Sequence, residues 1–354
     1  MKQLIINMEY FLQCFGHCSG CFLSEEERQE SNVYKNTLLL PLLNLSKKYK
    51  EIEVEHLVVG LGRGNILNLS DASLEEMLSF ISKIESLFQY KKITLEISTS
   101  LIGKIDLQIE KALFLLSRNK NIYFNLVINS ELTSPNFWQN ISKFYLATSS
   151  YRINNWSWID NYGDILVLNI NPENLPDLDF IESFTLHYGS PINISIFPFQ
   201  NKITKDSLEK LNDWTNTLWY KFKDKDLNIK NYLVNLNASN IENSLENMNQ
   251  YQSYTEKSYY FIDKMGKLIN GSLSIMGEVD KIRLLEKFGL KLNINEAYTS
   301  MQKHKACRLC PYQKECLLSG SYLNFMANKK NYNDGTYCLS GYKNIFSAFE
   351  EYRN

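Results

Sequence analysis

The sequence has almost no net charge, no long apolar run and no secretion signal. Its 38 Lys and Arg residues and 39 Asp and Glu residues leave a formal net charge of −1, whereas nucleic-acid-binding proteins usually carry a basic surface. No run of 18 apolar residues is present to span a membrane, and the N-terminus lacks the charged and apolar regions of a signal peptide. These absences argue against broad phosphate-backbone binding, a membrane span and export. We therefore expect a cytoplasmic protein.

The composition is that of a globular protein able to bury a core. Hydrophobic residues make up 44% and charged residues 22% of the 354 positions, which is ordinary for soluble domains. The length exceeds the usual size of a single domain. We therefore expect one large domain and a smaller one. The seven cysteines are better explained as metal ligands than as disulfides, because their spacings match clusters and no export signal is present.

The first cysteine group is Cys14, Cys18 and Cys21, with the spacing C-x3-C-x2-C. It follows an apolar run from Leu4 to Met8 that predicts a strand. Thiolates are soft ligands that select iron–sulfur clusters, zinc or copper(I). A [4Fe–4S] cluster normally takes four cysteines, so three would leave one iron open to chelate a substrate or cofactor. The alternatives are a zinc knuckle or three unrelated buried cysteines.

The loop resembles that of the radical S-adenosylmethionine (SAM) enzymes in its cysteine spacing. The resemblance implies that the methionine end of SAM chelates the open iron. It also implies that an electron from the cluster breaks a C–S bond and releases a 5′-deoxyadenosyl radical. The fold it implies is a partial (β/α)6 barrel, and in β/α barrels the loops at the carboxyl ends of the strands carry the chemistry.

Strand and helix patterns alternate six times along the first 222 residues, which implies parallel strands joined by right-handed crossovers. The helices include one over Pro41–Lys48, with Pro41 near its first turn, and one capped by Ser73 with Glu76. We predict an α/β fold, a partial (β/α)6 TIM-type barrel over residues 1–222 followed by a smaller C-terminal α+β iron–sulfur domain. The predicted strands are Leu4–Met8, Glu53–Val59, a third through Ile93, Leu95 and Ile97, then Tyr123–Ile128, Ile165–Ile170 and Ile192–Phe197.

The glycine-rich turn from Gly60 to Asn65 follows the second predicted strand and lets backbone N–H groups approach a ligand closely. The resemblance implies that Gly60, Gly62 and Arg63 lie where the family has Gly-Gly-Glu, which binds the SAM amino group. Arg cannot accept a hydrogen bond from an ammonium group, so a backbone carbonyl is expected to replace the Glu. Arg63 would then either pair with the SAM carboxylate or be a solvent-facing turn residue.

Short polar residues at two further strand ends are candidates for binding the carboxylate and ribose hydroxyls of SAM. They are Ser98, Ser100, Asn129 and Ser130. Each has the alternative role of capping the helix that follows. No acid–base catalytic residue is assigned.

The second cysteine group is Cys307, Cys310 and Cys316, with the spacing C-x2-C-x5-C, followed at a distance by Cys338. Four thiolates close a cluster and leave no open iron, which favours a structural or electron-carrying role. A structural zinc site with four thiolate ligands is the alternative.

The C-terminal region resembles the SPASM/twitch extension of peptide- and protein-modifying radical-SAM enzymes. The resemblance is carried by a predicted hairpin over Phe261–Ile269, the turn at 276–278, the C-x2-C-x5-C motif and the late cysteine. Asn270 and Gly320 stand where a full SPASM domain has cysteines. The resemblance therefore implies one auxiliary [4Fe–4S] cluster in residues 257–354, after a polar connector over 223–256, and two clusters in total.

Together these features predict a radical-SAM enzyme that forms a crosslink, an epimer or an oxidised residue in a ribosomally synthesised precursor peptide. SAM would be consumed, because no second SAM motif and no cobalamin motif is visible. A flavodoxin or ferredoxin is the expected reductant. The chain starts at the first strand, so we expect any leader recognition to need a separate protein or the surface of the small domain. The alternatives are action on a folded protein or small metabolite, and a non-catalytic iron–sulfur or zinc scaffold or redox partner.

Overall fold

In a computed structural model the chain is built on one eight-stranded sheet. The predicted connector over 223–256, the turn at 276–278, Cys18 and Ser130 lie outside the residues that the structure describes. The described residues are 3–16, 21, 23–118, 121–129, 135–153, 165–170, 174–179, 181–182, 192–196, 204–222, 257–270, 294–313, 316, 322–329, 335, 337–341 and 343.

The order of strands in the sheet is β6-β5-β4-β3-β2-β1-β7-β8. Each neighbouring pair from β6 to β7 is parallel, and β8 is antiparallel to β7. The six predicted strands thus lie side by side in chain order, and the predicted α/β fold of partial-barrel type is confirmed. The strands are β1 (Gln3–Met8), β2 (Val54–Leu61), β3 (Tyr90–Thr99), β4 (Ile122–Asn129), β5 (Ile165–Ile170), β6 (Ile192–Ile196), β7 (Lys257–Ile262) and β8 (Leu268–Asn270).

Helices connect the strands and continue into the C-terminal region. Within the described part of the chain, no helix combines the length and apolar character needed to cross a membrane. The helices are α1 (Glu25–Gln29), α2 (Lys35–Lys48), α3 (Asp71–Glu85), α4 (Ile105–Arg118), α5 (Pro135–Ile153), α6 (Lys205–Phe222), α7 (Ile294–Lys303), α8 (Lys305–Arg308) and α9 (Tyr322–Lys329).

The main core lies between the sheet and its helices. Alternate side chains of each strand point to opposite faces, and on β1 to β3 one set packs in this core. From α3 the core takes Leu74, Met77, Phe80, Ile81 and Ile84. The other strand residues face away from this core. The core residues of the three strands include Leu4, Ile6, Met8, Leu57, Val59, Leu61, Ile93, Leu95 and Ile97.

Two predicted helix starts are wrong. Helix α2 begins at Lys35, so Pro41 lies inside it rather than in its first turn. Helix α3 is capped by Ser70 rather than by Ser73, because the Ser70 hydroxyl accepts a hydrogen bond from the Ser73 backbone N–H at 3.2 Å.

The hairpin formed by β7 and β8 contacts helix α2 at the turn that contains Pro41. Proline has no backbone N–H, so the carbonyl of Thr37, four residues earlier, loses its helical donor. Gly266 in the hairpin turn has φ of 80°, and a Cβ there would lie 2.8 Å from that carbonyl oxygen. The Thr37 hydroxyl also donates to the backbone oxygen of Lys264 at 2.7 Å. The hairpin therefore extends the main sheet next to β1 and also packs against helix α2.

Candidate metal centres

The first cysteine group follows β1 and lies beside the turn after β2. The backbone N–H of Gly64 donates to the oxygen of Phe11, and that of Asn65 donates to the oxygen of Gln13, both at 2.9 Å. A Cβ at Gly64 would lie 2.5 Å from the backbone of Leu12 and Gln13. Glycine is needed here for this close approach. The glycine-rich turn therefore supports the segment that leads into the cysteine loop.

A short helix that sequence analysis missed also holds this loop. Helix α1 begins with a capping box in which the side chains of Ser24 and Glu27 each accept a backbone N–H from the other residue. Its Arg28 donates from Nη1 to the oxygen of Gly16 at 2.6 Å, and the Arg28 oxygen accepts from the N–H of Cys14 at 3.0 Å. The Ser-x-x-Glu pattern was the available signal for this helix.

The surroundings of Cys14 suit an anionic sulfur ligand. The Gly16 N–H donates to Cys14 Sγ at 3.4 Å, and Ser100 Oγ lies 4.0 Å from the same sulfur. Hydrogen bonds to cluster sulfurs tune iron–sulfur centres. Cys14 and Cys21 are both partly exposed. Of the residues predicted to bind SAM, Ser100 is thus brought to the cysteine loop.

The other predicted SAM residues differ in how close they lie to the carboxyl ends of their strands. Gly60 is a strand residue inside β2, whereas Gly62 follows that strand and donates its N–H to the oxygen of Met8 at 3.2 Å. Ser98 is buried on β3, and Asn129 is the last residue of β4. The carboxyl ends of these strands share one edge of the sheet, as the prediction requires.

Arg63 is buried, so its alternative role as a solvent-facing turn residue is wrong. Its side chain is 1% exposed, and its Nε lies 3.7 Å from Oε1 of Glu9, whose side chain is fully buried. Its guanidinium lies 4.7 Å from the ring centroid of Phe261, and its backbone has a strained φ of 131°. Glu9 Oε2 in turn accepts the N–H of Lys264 at 2.9 Å. Sequence analysis missed Glu9, because one acidic residue after a strand forms no pattern.

The four cysteines of the second group line one cavity of about 260 Å³. Cys307 and Cys316 are buried, and Cys310 and Cys338 are partly exposed. The N–H of Cys310 donates to the oxygen of Cys307, and the N–H of Cys316 to that of Tyr312, both at 3.0 Å. Tight turns thus bring the first three cysteines together.

Helix α9 holds the fourth cysteine through two buried asparagines. Asn324 donates from its side chain to the oxygen of Ser340 at 3.3 Å, and Asn328 donates to the oxygen of Leu339 at 2.8 Å. Ser340 Oγ lies 3.2 Å from the sulfur of Cys338. This explains how a distant cysteine reaches the cavity, and the two Asn residues one helical turn apart were its only sequence signal.

Burial, and after it the proximity of the other cysteines, opposes ionisation of the Cys307 and Cys316 thiols in the protein alone. Burial first, then the nearby Cys338 and Cys310, raises the pKa of Cys307 to about 12. Burial first, then Cys338, also raises the pKa of Cys316. A thiolate is the metal-binding form, so a cationic group must compensate these charges. Within the described residues, no three Cys, His, Asp or Glu side chains are placed to share a single ion. The four cysteine side chains, which are soft ligands, nevertheless line the same cavity.

Comparisons with known proteins find similarity in structure rather than in sequence. No protein-family model and no curated protein matches the chain. The solved structure of native anSMEcpe with bound AdoMet matches with a TM-score of 0.54 at 13% identity, over 99% of this chain and 96% of that one. Native anSMEcpe with bound AdoMet and Cp18Cys peptide matches with a TM-score of 0.52 at 12% identity and the same coverage. Streptococcus suis SuiB bound to precursor peptide SuiA gives a TM-score of 0.42 at 14% identity, over 78% of this chain and 61% of that one.

The anSMEcpe protein is an anaerobic sulfatase-maturating enzyme of the radical-SAM SPASM type. Its structure and the present one correspond over nearly the full length of both chains. The fold that the cysteine resemblance implied is therefore confirmed: the chain has the same partial-barrel fold as anSMEcpe.

Proposed function

We propose that the chain is a radical-SAM enzyme that modifies a peptide. The observation that carries the proposal is the C-x3-C-x2-C loop directly after β1, on a sheet with the fold of anSMEcpe. When bound, the cluster and SAM supply a 5′-deoxyadenosyl radical that removes a hydrogen atom from an unactivated carbon. The contribution of the chain is to hold these groups, orient the substrate and exclude water.

Cys14, Cys18 and Cys21 hold the first [4Fe–4S] cluster in this proposal. The Gly16 N–H stabilises the Cys14 thiolate, and Arg28 fixes the backbone of the loop on both sides of that sulfur. Because the chain offers three thiolates here, one iron is left for SAM.

The SAM carboxylate and ribose are assigned to short polar groups at the strand ends. Ser100 is the first candidate, because its hydroxyl lies beside Cys14 Sγ. Arg63 already pairs with Glu9, so its charge is largely compensated and it is better suited to fixing the turn than to binding the carboxylate. Ser98, Asn129 and Ser130 remain candidates for the same role, and Gly60 and Gly62 remain candidates for binding the SAM amino group.

Cys307, Cys310, Cys316 and Cys338 hold an auxiliary [4Fe–4S] cluster. Their convergence on one cavity supports this assignment. An iron–sulfur cubane holds its thiolates farther apart than a single zinc ion does. Across the part of the chain that the structure describes, no three such ligands are placed to share one ion, which favours a cluster. With all four ligands supplied by the chain, this cluster carries electrons or stabilises the C-terminal region and does not bind SAM.

A peptide substrate is supported by the solved structure of anSMEcpe with bound Cp18Cys peptide, which shares the fold. In the finer proposal the substrate is a ribosomally made precursor that gains a crosslink, an epimer or an oxidised residue. A flavodoxin or ferredoxin supplies the electron, and a separate protein recognises the leader. The proposed domain division is 1–222, 223–256 and 257–354, with β7 and β8 joining the last region to the sheet.

The test is mass spectrometry of a peptide encoded beside the gene, co-expressed anaerobically with the enzyme in D₂O and in H₂O. A crosslink or oxidation removes hydrogen from the peptide, and epimerisation introduces deuterium. We expect one of these changes with the native chain and none with Cys14→Ala. If 5′-deoxyadenosine forms but the peptide is unchanged, the substrate is instead a folded protein or a metabolite. Without 5′-deoxyadenosine the chain would be a scaffold.

A further inference from the structure

Polar residues occupy the strand face that points away from the main core. Asn7 on β1 pairs in register with Gly60 on β2, and Gly60 pairs with Glu96 on β3. Their strand neighbours Met8 and Ile97 pack in the core on the opposite face. Asn7, Gly60 and Glu96 therefore form one row across three strands, below the strand ends that carry the cysteine loop.

Asn7 lies over Gly60 in this row. A Cβ on Gly60 would collide with Asn7 Oδ1, so glycine leaves the space that the amide occupies. Asn7 is only 6% exposed, and its Oδ1 has no hydrogen-bond partner in the described part of the structure. Buried acceptors are nearly always satisfied, so an exception calls for a ligand or a water molecule.

Glu96 lies on the other side of Gly60. It keeps some accessible surface, and the side-chain amide of Asn125 on β4 donates to its Oε1. Burial raises the pKa of Glu96 to about 7, and within the described residues no charged side chain is a cause of this shift. The protonated carboxyl is both a donor and an acceptor, so near neutral pH the row offers a donor as well as the free acceptor of Asn7.

The ion pair of Glu9 and Arg63 lies beside Asn7, because Arg63 packs on Phe261, which pairs in register with Asn7. Two further titratable side chains face this region. His56 on β2 contacts Thr94 Oγ1 at 2.7 Å through Nε2, and Thr94 lies on the same face of β3 as Glu96. Tyr123 on β4 pairs in register with Glu96. The test must separate both of them from Glu96.

An amide group carries one N–H donor and one carbonyl acceptor, which match the acceptor on Asn7 and the donor on protonated Glu96. We propose that Asn7, Glu96 and Asn125 form a subsite that binds an amide group of the substrate on this face of the sheet. Asn7 Oδ1 accepts the amide N–H, Glu96 donates its proton to the amide oxygen, and Asn125 orients the Glu96 carboxyl. The inference rests on the proposed function, because the amide belongs to the peptide to be modified.

The probe is N-acetyl-alanine N′-methylamide, with its ester analogue, in which oxygen replaces each N–H, as the matched control. Each is titrated by calorimetry into the SAM-loaded holoenzyme without reductant. We expect the amide to bind and the ester to bind at least tenfold more weakly, with Asn7→Leu weakening the amide by about tenfold. Exposed Glu110 on α4 supplies the control variant Glu110→Gln, which should bind as the native chain does.

The dependence on pH is the sharper part of this test. Because the proton donor is lost above the pKa of Glu96, affinity for the amide should fall as the pH rises through about 7. Glu96→Gln keeps a donor at every pH, so its affinity should stay level, and Glu96→Ala should bind weakly throughout. A pH response that persists in Glu96→Gln would assign the titration to His56 or Tyr123 and overturn the proposal.

Three other results would also overturn it: no amide binding, equal binding of the ester, or a raised KM for SAM in Glu96→Gln, which would assign the row to SAM. Formation of 5′-deoxyadenosine by the reduced native enzyme is measured separately. Its absence would remove the proposed function, whereas the titration without reductant decides the subsite by itself.

Discussion

The two cysteine sites differ in how the chain surrounds them. Around Cys14 the partners are a backbone N–H, a serine hydroxyl and a loop fixed by Arg28. Around the C-terminal group, four cysteines line one cavity and two of them are buried. Cys14 and Cys21 of the first site are both partly accessible at a strand end, whereas Cys307 and Cys316 of the second site are buried. The first arrangement suits chemistry on a bound molecule, and the second suits stability or electron transfer.

The hairpin of β7 and β8, which belongs to the C-terminal region, lies beside the first cysteine group. That hairpin pairs with β1, and its turn is held by Glu9, which also pairs with Arg63 beside the cysteine loop. The C-terminal region is therefore joined to the sheet next to the first site. Through this contact, a substitution in one region can change the stability or cluster loading of the other.

The largest expected difference is between Cys14→Ala and Cys310→Ala. Cys14→Ala should reduce SAM cleavage to background, because it removes a ligand from the cluster that binds SAM. Cys310→Ala should lower the iron content by about half and leave some uncoupled cleavage. The measurements are 5′-deoxyadenosine by chromatography and iron per chain, with the exposed Leu40→Ala on α2 as control. Equal loss of cleavage in both cysteine variants would mean that the C-terminal region holds the barrel together.

The next effect is expected at the buried ion pair. Arg63→Met leaves the Glu9 charge buried without its partner, which should cost about 3–5 kcal/mol of stability. The exposed pair of Lys210 and Asp206 is the comparison, and Lys210→Met should cost about 0–1 kcal/mol. Anaerobic thermal unfolding ranks the variants. If the double variant Arg63→Met with Glu9→Gln were no more stable than Arg63→Met, the two residues would not act as a pair.

A smaller contrast separates two glycines, one near each site. Gly64→Ala forces a Cβ against the backbone of Leu12 and Gln13, so it should reduce loading of the first cluster. At Gly335 the nearest atom would be 3.5 Å away, and its φ of 77° leaves a cost of about 1 kcal/mol for alanine. Iron content and the signal of the reduced cluster are the measurements. Full loading of both clusters in Gly64→Ala would show that the turn does not support the loop.

The smallest effects are expected for the two serines near cluster sulfurs. Ser340→Ala removes a hydroxyl 3.2 Å from Cys338 Sγ and should shift the potential of the auxiliary cluster without changing SAM cleavage. Ser100→Ala should raise the KM for SAM a few-fold and leave that potential unchanged. Redox titration and SAM kinetics on both variants check this. If Ser340→Ala raised the KM for SAM and Ser100→Ala shifted the potential of the auxiliary cluster, the roles proposed for the two sites would be wrong.

The sequence predicted the repetitive and chemically distinctive features. Runs such as Ile165–Ile170 specify parallel strands by their apolar content, and cysteine spacing marked both candidate metal sites. These signals are local, so they survive without knowledge of the fold. Cys338 and the Cys307 group line one cavity, and their shared role as cluster ligands stays a prediction.

The remaining features depend on contacts between distant parts of the chain. Pro41 lies inside α2 and leaves the carbonyl of Thr37 without a helical donor. The hairpin turn at Gly266 packs against that carbonyl. The pairing of Glu9 with Arg63, and of Asn328 with the Cys338 loop, likewise becomes visible only in three dimensions. The capping box of α1 was an exception, since its local signal was present and was overlooked.

The central claim is that three thiolates after β1 hold a cluster that cleaves SAM. Its most direct test measures iron and 5′-deoxyadenosine on one anaerobic, dithionite-reduced sample supplied with SAM. The account predicts about eight irons per chain, from two cubane clusters, and 5′-deoxyadenosine that disappears in Cys14→Ala. A single mononuclear metal at the first site, with no 5′-deoxyadenosine from the native chain, would contradict it.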